Sequence, residues 1–318
     1  MSRAGSFRLF RLADIDVYVH WTWLLIAFFE VQYSGQPNRY DRAGWNWIEF
    51  LSLFAIVLMH EFGHALACRQ VGGIVHHIIL WPLGGTAYVS PPPQPRAVLW
   101  SIAAGPLVNV FLVPLTVGLW LVSQMLHWGD VTPDFAQYLF MMMAINFLLL
   151  FFNMLPVYPL DGGQILHALL WFVMGRARSL MFVSVVGIVV GGCVFLLAMV
   201  LAARDFSGAW WLGIMAAFVA FRAVNGLQHA RMLARVLSGP RHKEAACPSC
   251  GVPPLAGNYW TCDECGTRFD TFQCHGQCPG CGQLFRVTKC PECYKQHPIG
   301  EWLAYGRPPD DSPQNIPH

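Results

Sequence analysis

The sequence predicts a mainly α-helical, polytopic membrane protein followed by a small cysteine-rich domain. Hydrophobic residues make up 55% of the 318 residues and charged residues only 12%, whereas soluble domains average about 25% charged residues. Nine of the 11 cysteines crowd between Cys247 and Cys293. The formal net charge of +2 gives no sign of a nucleic-acid or acidic partner. A chain of this composition needs lipid around most of its length.

Six apolar runs are long enough, or nearly so, to cross a bilayer core about 30 Å thick. They cover residues 17–33, 47–68, 98–125, 135–155, 180–201 and 209–224. The first and last runs are short for a crossing, and half-inserted segments are the alternative there. Three arginines precede the first run and no small-residue cleavage site follows it. We therefore expect an uncleaved first membrane helix.

Positive charges are distributed unevenly around these six runs. If the amino terminus is cytosolic, ten arginines fall on the cytosolic side and only Arg39, Arg42 and Arg204 fall on the other. Loops in the cytosol carry an excess of Lys and Arg. We expect a multi-pass integral membrane protein with both termini in the cytosol, in the inner membrane if the source is prokaryotic.

Two shorter signals divide the chain further. Residues 74–89 carry β-branched and aromatic residues broken by Pro82, Gly84 and Gly85, which predicts a short β-hairpin beside the second helix. Ser238, Gly239 and Pro240 mark a domain boundary. The expected domains are a membrane domain over 1–237, a cysteine-rich domain over 238–305 and a disordered tail over 306–318.

The second apolar run contains His60-Glu61-Phe62-Gly63-His64. Residues four apart lie on one face of a helix, so His60 and His64 can direct both imidazoles at one metal ion. Glu61 beside them can transfer protons. The pattern is typical of a zinc peptidase motif, here carried by a membrane helix.

Two imidazoles leave a catalytic zinc one protein ligand short, since such sites commonly use three ligands and one open position. Asp161 is the best candidate for the third, because two prolines and two glycines surround it in a break between apolar runs. An unpartnered carboxylate at membrane depth would be unfavourable, and a metal ion resolves this. The alternative is that Asp161 caps the amino terminus of the next helix.

Together these motifs resemble the site-2 protease family of intramembrane zinc metalloproteases, peptidase family M50. The resemblance rests on four stretches, found in the family's order: residues 60–64, 82–85 (Pro-Leu-Gly-Gly), 104–109 (Ala-Gly-Pro-Leu-Val-Asn) and 153–163. It covers about residues 10–225. It implies that His60, His64 and Asp161 bind zinc, that Glu61 is catalytic, and that the substrate is itself a membrane-spanning segment cut near the cytosolic face.

A strand and several asparagines near the motif are candidates for substrate contacts. An edge strand of the hairpin, with Ile79, Leu80, Gly84 and Gly85, could hold an unwound peptide by strand addition. Asn109, Asn146 and Asn153 could contact substrate or steady an oxyanion, with Asn153 the best placed, or could simply bridge helices. We expect surface or hairpin roles for His76 and His77, and an interfacial role for His20.

Four Cys-x-x-Cys pairs in the cysteine-rich domain suit two closed, structural zinc sites. Taken in order along the chain, the first site uses Cys247, Cys250, Cys262 and Cys265, and the second uses Cys278, Cys281, Cys290 and Cys293. Either Cys274 or His275 could replace a ligand of the second site. The domain resembles a double zinc ribbon.

From Arg241 onward the chain has seven Lys or Arg and eight Asp or Glu. A surface that binds nucleic acid is normally basic, so we expect no nucleic-acid binding. The candidate roles for the domain are recognition of a protein regulator or substrate and a purely structural cap.

The expected function is hydrolysis of a peptide bond in a transmembrane segment of a precursor or regulatory protein. Zinc activates a water molecule and Glu61 acts as the general base. The expected cofactors are one catalytic and two structural zinc ions, and membrane lipid surrounds the site. The alternative is a catalytically silent relative that binds and retains membrane clients, which the intact His60, Glu61, His64 and Asp161 disfavour. A transporter would spread polar positions along a path, whereas here they gather at one depth.

Overall fold

A computed structural model of the protein describes residues 5–25, 40–42, 44–81, 84–206, 208–290, 292–293 and 295–306. The chain forms two compact units, Met1–Ala230 and Arg231–His318, called here the membrane unit and the cysteine-rich unit. The domain limits expected from the sequence stay predictions. Apart from Gly306, the expected disordered tail lies outside the described residues.

Seven helices follow one another from residue 44 to residue 237. They are α1 (Gly44–Gln70), α2 (Pro95–Met125), α3 (Trp128–Val131), α4 (Pro133–Asn153), α5 (Asp161–Met174), α6 (Arg176–Ala202) and α7 (Ala209–Leu237). Within the described residues, α1, α2, α4, α6 and α7 are long and apolar enough to cross a membrane, with mean hydropathy between 1.4 and 2.8. These five helices contain the last five predicted spans, except that α4 ends at Asn153, two residues before the end of the predicted span. The mainly α-helical membrane fold is confirmed.

The first predicted membrane span begins as a β-strand and not as a helix, so the prediction is wrong there. Residues 17–20 belong to a β-strand, and only 22–25 are helical before the described residues stop at 25. Val17 to His20 are all buried in the membrane unit, so this strand is covered on both faces and has no polar alternation that would mark it in the sequence. A short apolar run does not by itself distinguish a strand from a helix. The rest of this predicted span, 26–33, lies outside the described residues.

The predicted hairpin exists and is half of a larger sheet. Its four strands are β1 (Ser6–Leu12), β2 (Ile15–His20), β3 (Ile74–Trp81) and β4 (Gly84–Ser90), in the order β1-β2-β3-β4. β2 pairs with β3 in parallel, and the other two pairs are antiparallel. Ile78 and Leu80 of β3 pack with Val57 and Ala65 of α1 in one core cluster. The sheet is therefore held against the helix that carries the histidine motif.

Small residues bring α1 and α2 close together at Gly63 and Ala104. A side chain at Gly63 of α1 would place its Cβ 2.6 Å from the carbonyl oxygen of Ala104 in α2, well inside van der Waals contact. Close approach of two backbones at such small residues is typical of membrane helices. The contact lies beside His64 and sets the spacing of the site.

The cysteine-rich unit is built from two small hairpins and a terminal helix. They are β5 (Trp260–Thr261) with β6 (Arg268–Phe269), β7 (Val287–Lys289) with β8 (Gln296–Pro298), and α8 (Ile299–Gly306). Trp302 of α8 is fully buried and packs in a cluster with Phe272, Cys247 and Cys290. So small an apolar core needs additional cross-links to be stable.

Candidate metal centre

Three predicted ligands converge inside the membrane unit. Nε2 of His60 lies 3.1 Å from Nε2 of His64 and 3.0 Å from Oδ2 of Asp161. The distance from Nε2 of His64 to the same carboxylate oxygen is 3.5 Å. All three side chains are largely buried, and Asp161 retains 13% side-chain exposure. The structure thus brings together residues that are 101 positions apart in sequence.

The local structure explains how Asp161 reaches the histidines. Asp161 is the first residue of α5, while Leu160 is the helix N-cap and makes no side-chain capping bond. The carboxylate is directed at the imidazoles, so capping is not its role. A Cβ at Gly162 would lie 2.5 Å from the carbonyl oxygen of Leu155. Glycine is therefore required where the chain folds back before α5.

The donor set fits a divalent metal ion. Nδ1 of His64 lies 2.9 Å from the carbonyl oxygen of Ser101. Because a carbonyl can only accept, this Nδ1 carries the proton and Nε2 presents a lone pair. Nδ1 of His60 lies 2.7 Å from Oδ1 of Asn109, which has the same consequence. Two imidazole lone pairs and a carboxylate oxygen therefore face one another, an arrangement that a cation between them would stabilise.

The spacing of these atoms matches zinc. A tetrahedral ion with bonds of about 2.0–2.1 Å holds its ligand atoms about 3.3 Å apart. The three observed separations are 3.0, 3.1 and 3.5 Å. Three protein ligands leave a fourth position for water or substrate, as in catalytic rather than structural zinc sites.

Glu61 lies between this centre and the edge of the sheet. It is 5% exposed, and the main-chain N–H of Ala87 in β4 is close enough to interact with its carboxylate. A Cβ at Gly85 would overlap the Glu61 side chain. Strand β4 therefore runs directly over the predicted general base, and Gly85 is the residue that permits this.

The hairpin prediction needs one correction. Ile79 and Leu80 were expected on an edge strand, but β3 is interior, because it pairs with β2 on one side and β4 on the other. Their side chains are 3% and 0% exposed. Among the described residues, β4 is the strand of this pair that lies at an edge, so any strand addition involves β4 and not β3.

The asparagines are placed differently from the sequence-based ranking. Asn109 of α2 contacts His60 directly, and Asn146 of α4 accepts a hydrogen bond from Asn109 at 3.4 Å. Asn153, ranked first from the sequence, is the last residue of α4 and half-buried. The carbonyl of Ser101 was missed. A main-chain acceptor has no signature in the residue type, so the sequence offered no signal for it.

The other histidines stay away from the metal centre, as expected. His20 stacks on Trp81 with ring centroids 4.0 Å apart, and His77 stacks on Tyr88 at 4.6 Å. His76 lies 3.5 Å from the hydroxyl of Ser90. Within the part of the chain that the structure describes, the group of converging ligands contains His60, His64 and Asp161 and none of these.

The eight predicted cysteines form two clusters, but the pairing expected from their order is wrong. The outer cluster contains Cys247, Cys250, Cys290 and Cys293, and the inner cluster contains Cys262, Cys265, Cys278 and Cys281. Along the sequence, the four cysteines of the inner cluster therefore lie between the two Cys-x-x-Cys pairs of the outer cluster. Neither Cys274 nor His275 belongs to a cluster in the described residues, which corrects the expectation that one of them replaces a ligand.

The cluster geometry suits tetrahedral zinc thiolate sites. The Sγ atoms of Cys247 and Cys293 lie 3.6 Å apart, and those of Cys265 and Cys278 lie 3.5 Å apart. Zinc–sulfur bonds of about 2.3 Å place ligands about 3.8 Å apart. Hydrogen bonds from the Thr267 side chain and main chain lower the pKa of the Cys265 thiol to about 6, whereas hydrogen bonds to neighbouring cysteines raise the pKa of the Cys281 thiol to about 12. A bound zinc ion would hold all four sulfur atoms of the cluster as thiolates.

Comparison with known proteins gives similarities that agree with one another. Peptidase family M50 matches residues 123–199, a stretch that includes Asp161. A zinc metalloprotease of Methanocaldococcus jannaschii is 31% identical over 182 residues, covering 57% of this chain and 50% of the relative. The putative zinc metalloprotease Rip3 of Mycobacterium tuberculosis is 29% identical over 227 residues, covering 66% of this chain and 55% of the relative.

A solved structure of the site-2 protease from Methanocaldococcus jannaschii is also similar. Its TM-score is 0.47 at 24% identity, over 70% of this chain and 95% of that one. The chain spans about half the length of the curated relatives that it matches. By the sequence matches, the chain is similar to peptidase family M50 and to proteins named zinc metalloproteases over part of its length.

Proposed function

We propose that this chain is an intramembrane zinc endopeptidase that hydrolyses a peptide bond within a transmembrane segment of another protein. The observation that carries the proposal is the convergence of His60, His64 and Asp161 within helices of membrane-spanning length, with Glu61 beside them. Relatives named zinc metalloproteases support the same reaction class.

Glu61 is the general base in this proposal. Bound zinc would lower the pKa of a water molecule toward neutrality and polarise the scissile carbonyl. Glu61 takes a proton from the attacking water and returns it to the leaving amine. Its burial beneath β4 keeps bulk water away from the carboxylate. Asn109 and the Ser101 carbonyl hold the two imidazoles with Nε2 facing the reacting centre.

Strand β4 is the proposed substrate-binding edge. A transmembrane helix hides its carbonyls in internal hydrogen bonds, so the substrate must unwind locally before hydrolysis. β4 pairs with β3 on one side, and its other side can accept an extended peptide by strand addition. The contact between Gly85 and Glu61 would then place the peptide backbone beside the general base.

We propose further that both termini are cytosolic, which requires one crossing more than the five helices of spanning length in the described residues, and that the cut falls near the cytosolic face. The arginine distribution supports this orientation. Each cysteine cluster of the cysteine-rich unit would hold one structural zinc ion. The near balance of acidic and basic residues there supports protein recognition, of substrate or regulator, over nucleic-acid binding.

A reconstituted cleavage assay tests the proposal. The purified chain is placed in lipid vesicles with a panel of single-span membrane peptides, and products are identified by mass spectrometry. The expected products end within the cytosolic half of the span. Zinc-loaded protein that cuts soluble peptides but no membrane span would contradict the proposal. Proteins that co-purify with Glu61→Gln protein identify natural substrates.

A further inference from the structure

Asn146 lies on α4 and hydrogen-bonds to Asn109, which itself contacts His60. We propose that Asn146 is a positioning residue of the metal centre, which fixes the orientation of the Asn109 amide and, through it, the tautomer of His60. The inference rests on the proposed function, in which His60 binds zinc through Nε2.

The orientation follows from one fixed acceptor. Nδ2 of Asn146 donates to the carbonyl oxygen of Met142 at 3.0 Å. A carbonyl cannot donate, so Asn146 must turn its NH₂ group toward Met142 and its Oδ1 away. Asn109 then donates from Nδ2 to that Oδ1 at 3.4 Å. With its NH₂ group used in this way, Asn109 presents Oδ1 to His60.

The tautomer of His60 depends on which group of the Asn109 amide faces Nδ1 of the imidazole. Oδ1 of Asn109 accepts, so Nδ1 of His60, 2.7 Å away, carries the proton and Nε2 keeps its lone pair. If the Asn109 amide rotated by half a turn, its NH₂ group would face Nδ1. The ring would then carry its proton on Nε2, directed at Asp161 and His64. That tautomer cannot bind a metal through Nε2.

The two histidines differ in how much support they need. His64 donates to the main-chain carbonyl of Ser101, which cannot exchange acceptor for donor. His60 donates to a side-chain amide that can rotate. Asn109 and Asn146 are both fully buried, so water does not take the place of a missing partner. Only His60 therefore requires a second residue to fix its tautomer.

Replacing Asn146 by leucine tests the relay. Asn146→Leu has a similar volume and no acceptor, so Asn109 loses its orienting partner. We expect zinc affinity at the membrane site to fall about 10- to 100-fold, the usual effect of removing an outer hydrogen bond to a ligand. The readout is zinc per chain across a series of buffered free zinc concentrations, in which this site empties before the thiolate sites. Cleavage should recover at high free zinc.

Matched variants separate the relay from packing. Met142→Leu is on the same helix and buried, and keeps the carbonyl that anchors Asn146; its zinc affinity should match the wild type. Asn146→Asp should also stay near the wild type, because a buried neutral acid donates to Met142 and accepts from Asn109. If Asn146→Leu does not accumulate, Asn146→Ser replaces it, since the shorter side chain cannot reach Asn109.

The most discriminating experiment introduces Asn146→Leu into protein that already carries Asn109→Asp. A carboxylate at this position accepts from His60 in either orientation, so Asn146→Leu should have little further effect on zinc affinity there. Equal losses in both backgrounds would assign Asn146 to packing and overturn the relay. Wild-type zinc affinity in Asn146→Leu would also overturn it. Neither result bears on whether the zinc-loaded wild type cleaves a membrane span, so the two proposals fail separately.

Discussion

Gly105 of α2 lies directly against the imidazole ring of His64 of α1. A Cβ built on Gly105 would overlap the imidazole ring of His64, so the ring occupies the volume that any side chain would need. The same imidazole donates to the carbonyl of Ser101, four residues earlier on α2. Helix α2 therefore determines both the position and the tautomer of a ligand that α1 carries.

Gly105→Ala should disturb the metal centre more than its small size suggests. The added methyl group must displace His64, because the backbones of α1 and α2 are already in contact at Gly63. We expect at least a tenfold loss of zinc affinity and a similar loss of cleavage. Gly118→Ala is the control, since a Cβ there meets no atom within 4 Å. Equal behaviour of the two variants would exclude this packing account.

The chain should bind three zinc ions, one for each converging ligand group. His64→Ala removes a ligand of the membrane site and leaves both cysteine clusters intact. We expect zinc content to fall from three ions to two per chain, and cleavage to be lost. Elemental analysis of purified, desalted protein measures this. Three retained ions in the variant would show that His64 does not hold one.

The nested pairing of the cysteines makes a specific prediction about double variants. Cys247→Ser with Cys290→Ser alters only the outer cluster and should cost one zinc ion. Cys247→Ser with Cys262→Ser alters both clusters and should cost two. Pairing in chain order predicts the reverse, because Cys247 and Cys262 would then share a site. Zinc content per chain distinguishes the two arrangements.

Asp270 should stabilise the cysteine-rich unit. Its Oδ2 accepts from the N–H of Gly257 at 2.6 Å and from His242 at 2.8 Å, and its Oδ1 accepts from the N–H groups of Phe272 and Gln273. Burial alone would raise the pKa of this carboxyl, but these hydrogen bonds outweigh it and the pKa is lowered.

A lowered folded-state pKa means that the stabilisation is complete above the unfolded value of about 3.9 and is lost as the pH falls below it. Asp270→Asn turns an NH₂ group toward one pair of donors and should destabilise the unit by about 1–3 kcal/mol at pH 7. Faster hydrogen exchange at Gly257 and Phe272 measures this. Asp263→Asn is the exposed control, and equal exchange in both variants would count against the assigned role.

The convergence of His60, His64 and Asp161 was predictable because two of the three residues are close in sequence. Spacing of four residues places His60 and His64 on one helix face in any α-helix, and chemistry then requires a third ligand. Asp161 could be named because a carboxylate between prolines and glycines at membrane depth is unfavourable unless a cation lies beside it. The sheet was harder. Residues 17–20 begin an apolar run, and all four are buried in the fold, so no polar alternation distinguishes this strand from the start of a helix.

The cysteine pairing and the role of Asn109 could not be derived from the sequence. Cys-x-x-Cys spacing determines each turn, whereas the choice of partner turn depends on how the hairpins of the cysteine-rich unit pack. Asn109, Asn146 and Asn153 are alike as residues at membrane depth. In the structure Asn109 contacts His60, Asn146 contacts Asn109, and Asn153 ends α4. These different positions depend on which side of α2 and α4 faces His60.

Cleavage by Glu61→Gln protein in lipid vesicles tests the central claim most directly. Glutamine keeps the shape of Glu61 but cannot take a proton from water, and it leaves all three proposed zinc ligands in place. We predict unchanged zinc content with cleavage of a membrane-span peptide reduced by at least 100-fold. Cleavage at the wild-type rate by fully zinc-loaded Glu61→Gln protein would contradict the proposed mechanism.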